Sequence, residues 1–91
     1  MNFAKLDTAL ILALKQIKDP SKPCLVVFIH TESVLDPTAT ALLESFNISN
    51  ITEGKNVLTA TLSANAISQL SEQPWVQYLK LSEKLRFVNQ N

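Results

Sequence analysis

The chain has one glycine, one cysteine and one histidine in 91 residues. One glycine leaves no material for a glycine-rich phosphate loop. One cysteine excludes an internal disulfide and a thiolate metal cluster, so no metal or cofactor is expected. Cys24 and His30 would lie about 20 Å apart along one strand, too far for a Cys/His dyad. No elbow-type motif surrounds any serine. Charge of one sign is also lacking: eight basic and eight acidic residues cancel. No basic stripe is present to follow a nucleic-acid backbone. No apolar run approaches the length that spans a bilayer. Residues 9–14 are apolar, but Asp7 precedes them and Lys15 interrupts them, which fits an amphipathic helix better than a secretory signal. These absences point to a non-enzymatic protein without a nucleic-acid or membrane partner, with the cytoplasm as the default compartment.

What is present is apolar patterning. The chain is 46% hydrophobic, which excludes a disordered segment. Its length allows a single domain with a modest core. Leu6, Leu10, Ala13, Leu14 and Ile17 recur on one helical face, and they predict an N-terminal helix within residues 1–19. Ile11 and Leu12 are apolar outside that stripe. Asp19-Pro20-Ser21-Lys22-Pro23 ends the helix as a stiff linker.

Residues 24–31, CLVVFIHT, form a continuous apolar run with β-branched and aromatic members. Such a run predicts a central strand buried on both faces, with Cys24 as a small buried hydrophobe. Asp36 predicts a helix cap with Pro37 at the first helical position. Ala39, Leu42, Leu43 and Phe46 then supply an inner face. Residues 47–52 read as a weak strand with Ile48 and Ile51, and residues 53–56, which hold Gly54, read as a hairpin turn. Residues 57–62 alternate as a strand. Ser63 predicts a cap for a helix carrying Ala66, Ile67 and Leu70, Pro74 cannot continue that helix, and residues 76–81 alternate again.

From Cys24 onward the predicted order is β-α-β-β-α-β. This is the ferredoxin-like α+β arrangement, an antiparallel sheet with two helices on one face, here preceded by an extra helix. Leu25, Val27, Ile29, Leu58, Ala60, Leu62, Leu79 and Leu81 are expected to face the helices. Val26, Phe28, His30, Val57, Thr59, Thr61, Tyr78 and Lys80 are expected on the other face. Val26, Phe28, Val57 and Tyr78 make that face too apolar to stay wet. The N-terminal helix, a second copy of the chain or another protein is expected to cover it.

Ala60-Thr61-Leu62, then Ala66-Ile67 and Leu70, then Pro74-x-Val76-x-Tyr78-Leu79 resemble the second half of the subtilisin propeptide family, which includes free-standing protease inhibitors. The likeness is strongest over residues 57–81, and over residues 24–88 it extends by element order. It implies a stand-alone domain that binds, and inhibits or helps fold, a subtilisin-like serine protease. In that family the open sheet face packs on two parallel protease helices, and the tail after the last strand enters the cleft like a substrate. Carried onto this chain, the protease-binding residues are Val26, Phe28, Tyr78, Lys80 and Ser82 on the sheet, and Leu85, Arg86, Phe87 and Val88 in the tail. Family members carry acidic side chains late in the last strand, which cap the protease helices. Lys80 and Ser82 stand at the matching positions, and Glu83 would replace them only after a register change. The competing expectation is an interaction module that forms a homodimer through the open face, with Leu85 and Phe87 packed over one end of the sheet.

Overall fold

A computed structural model describes residues 1–32, 36–48 and 56–84. They form an α+β fold of three α-helices and a three-stranded antiparallel sheet. In chain order the elements are α1 (Thr8–Lys15), β1 (Leu25–Thr31), α2 (Pro37–Ser45), β2 (Val57–Leu62), α3 (Ala64–Ser71) and β3 (Val76–Lys84), with a short 3-10 turn at Phe3–Lys5 before them.

β1 is the central strand, antiparallel to both β2 and β3. β2 and β3 therefore run parallel to each other on either side of β1, and α3 joins them. Along β1, Leu25, Val27, Ile29 and Thr31 are buried, while Val26, Phe28 and His30 are half-buried. The strand expected to be buried on both faces is thus fully buried on one only. It is central because it is hydrogen-bonded on both edges, while helices cover a single side.

One core takes in the inner sheet residues Leu25, Val27, Ile29, Leu58, Leu62, Val76 and Leu79. Leu10 and Ala13 of α1, Leu43 of α2, and Ala66, Ile67 and Leu70 of α3 complete it. Cys24 belongs to the same cluster as a free, buried thiol. Fully burying each large aliphatic side chain contributes about 1.5–3 kcal/mol. All three helices feed this core, so α1 lies on the helical side of the sheet. It does not cover the opposite face, contrary to one of the sequence expectations.

The helix starts follow the expected caps. Asp36 Oδ1 accepts from the Ala39 N–H at 2.8 Å, and Ser63 Oγ accepts from the Ala66 N–H at 3.1 Å. α1 is shorter than its apolar periodicity suggests, because Asp7 caps it and Leu6 stays outside in extended conformation. Leu6 bridges to Leu79 in parallel, and the Asp7 N–H donates to the Leu79 carbonyl at 3.1 Å. Asp7 Oδ1 accepts both the Leu10 N–H at 2.9 Å and the Leu81 N–H at 3.2 Å. One carboxylate thus caps α1 and closes part of the outer edge of β3. Leu10 and Ala13 are buried, Ile11, Leu14 and Ile17 are half-buried, and Leu12 is exposed. Beyond α1 the linker folds on itself: the Asp19 carboxyl is held below the usual carboxylate range by the Ser21 hydroxyl, then by the Ser21 N–H.

Two sequence expectations change at α2 and β3. Asn47 does not open a strand. It has φ 65°, the left-handed region that asparagine tolerates. Its N–H donates to the Glu44 carbonyl, and the Ile48 N–H donates to the Leu43 carbonyl at 3.1 Å, which is a Schellman helix end with Ile48 buried in the core beside Leu43. The remainder of the expected second strand and residues 53–55 of the expected turn lie outside the described residues. β3 continues past Leu81 to Lys84, with register shifts opposite Val26/Val27 and His30/Thr31.

Asp7→Ala is expected to lower stability by about 2 kcal/mol, since it removes a helix cap and orphans the Leu81 N–H. Ser63→Ala, which removes a cap alone, should cost about 1 kcal/mol. Urea unfolding measures both, and equal losses would show that the bond to Leu81 contributes nothing.

Candidate functional site

The sheet face away from the helices is a small lattice set by the strand register. Thr61, Val26 and Glu83 form one row, Thr59, Phe28 and Lys80 the next, and Val57, His30 and Tyr78 the third. Residues directly opposite on antiparallel strands project to the same side, so each row is a set of side-chain neighbours. Val26 and Phe28 occupy the centre and are half-buried by their neighbours. Val57 and Tyr78 are 40% and 37% exposed at opposite corners of the third row. The His30 ring meets the Tyr78 ring edge-on, with centroids 6.0 Å apart and planes at 61°. Among the described residues no helix covers this face, and none of its apolar side chains joins the core.

The sheet residues expected in the site, Val26, Phe28, Tyr78 and Lys80, therefore stand together on one surface. Ser82 is exposed and has no register partner on β1. Val26 pairs with Glu83 and Val27 with Leu81, which leaves Ser82 as the extra residue of a β-bulge. The bulge shifts the alternation by one, and Glu83 takes the place opposite Val26. The sequence offers Glu83 there only after a register change, and the bulge supplies that change. Leu85, Arg86, Phe87 and Val88 lie outside the described residues.

Among the described residues no group of three or more His, Cys, Asp and Glu could hold a metal ion. No described helix is long and apolar enough to cross a membrane. A cleft of about 150 Å³ opens where the end of α2 meets the start of α3, lined in part by Pro23, Phe46, Asn47 and Ser63. Two of the three hydroxyls there are engaged, Ser63 in capping α3 and Ser45 in donating to the Leu42 carbonyl. The open face is thus the surface with the clearest capacity to bind, and its chemistry is that of docking: an apolar centre, hydroxyls on β2, and one cation and one anion on β3.

Compared with known proteins, the chain matches no family model, no curated protein and no solved structure. The likeness to subtilisin propeptides accordingly rests on the residues quoted above.

The open face should tolerate change that the inner face does not. Tyr78→Ala is expected to alter folding stability by less than about 1 kcal/mol, and Leu79→Ala to cost about 2–5 kcal/mol. Chemical denaturation of the two variants side by side checks this. Comparable losses would mean that Tyr78 is part of the folding core.

Proposed function

We propose that this chain is a non-enzymatic protein-docking domain of subtilisin-propeptide type, which binds a subtilisin-like serine protease with its open sheet face. The observation that carries the reading is the lattice centred on Val26 and Phe28, which all three helices leave open. In support, Glu83 offers a carboxylate on that face late in β3, the kind of group suited to the positive end of a partner helix. The size of the face points the same way. Three strands about 4.8 Å apart and some six residues long present roughly 300 Å². A stable protein interface buries about 800 Å² on each partner. A second contact is needed, and residues 85–91 follow β3 directly in sequence. In this reading Leu85, Arg86, Phe87 and Val88 run extended into the protease cleft.

We further propose that the fold is the ferredoxin-like β-α-β-β-α-β arrangement. The parallel pair β2 and β3, split by β1 and joined by α3, supports it. The fourth strand would flank β2. A cytoplasmic location is proposed with it.

Lys80 favours a second reading. It stands beside Phe28 in the middle row and would direct a positive charge at a positive helix end. A homodimer through the same face avoids that conflict.

Titrating a subtilisin with the purified chain, and following residual activity over time, tests the first reading. Excess protein should slow the enzyme, at least until the tail is cut. Removing residues 85–91 should abolish inhibition with little change in melting temperature. Lys80→Glu should strengthen inhibition roughly fivefold, by exchanging a repelled charge for an attracted one. If the chain never slows the protease and the truncation lowers the melting temperature sharply, the reading is wrong.

A further inference from the structure

We draw no further inference here: the strongest candidate, the open sheet face centred on Val26 and Phe28, belongs to the site already described, and nothing in the structure shows what covers it.

Discussion

The structure depends on β1 being hydrogen-bonded along both edges while only one of its sides is buried. Its inward residues Leu25, Val27, Ile29 and Thr31 are the floor of the core. Every other element is placed with reference to that floor. β2 and β3 pair with it from either side, and α1, α2 and α3 close over it. An element added to one side of a central strand leaves the other side bare, and Val26, Phe28 and His30 are what it leaves. The candidate binding surface follows from the same asymmetry that builds the core.

The flanks of that sheet are managed by local chemistry. Asp7 does two things with one oxygen: it starts α1 and accepts the outward N–H of Leu81 on β3. The N-terminal segment is tied down further by the Asn2 N–H, which donates to the buried Ser71 hydroxyl at 2.9 Å, and by Lys5 Nζ, which donates to the Gln73 carbonyl. An unpaired strand edge invites pairing with other chains, and covering it with polar chain is one way to prevent that. The extra helix before the sheet therefore works as an edge guard and a core element. Its place on the helical side leaves the lattice uncovered.

The open face is defined by pairs across strands more than by runs along them. Phe28 lies between Thr59 and Lys80, and Val26 between Thr61 and Glu83. The bulge at Ser82 brings the Glu83 carboxylate opposite Val26 at one corner, which alters the face's electrostatics without touching the core. A face of this size and mixed character suits a contact that needs a second anchor or that forms reversibly. Protease docking with the tail and transient self-pairing are both of that kind, and both use the same side chains.

Much of this was legible in the sequence because it is local. Asp36 and Ser63 next to helical stretches mark caps, since the bond each makes spans only three residues. The alternation of β1 and β2 separates Leu25, Val27, Ile29, Leu58 and Leu62 from Val26, Phe28, Val57 and Thr59, because a strand's side chains alternate regardless of its partners. Only the tertiary structure decided the rest. That α1 lies over the core and not over the open face shows in the burial of Leu10 and Ala13 among inner sheet residues far from them in sequence. Asn47 ends a helix instead of beginning a strand because its left-handed turn carries Ile48 back to Leu43 in the core. Glu83, not Ser82, stands opposite Val26 because a bulge is a property of two paired strands, and no single strand's residues encode where its partner slips.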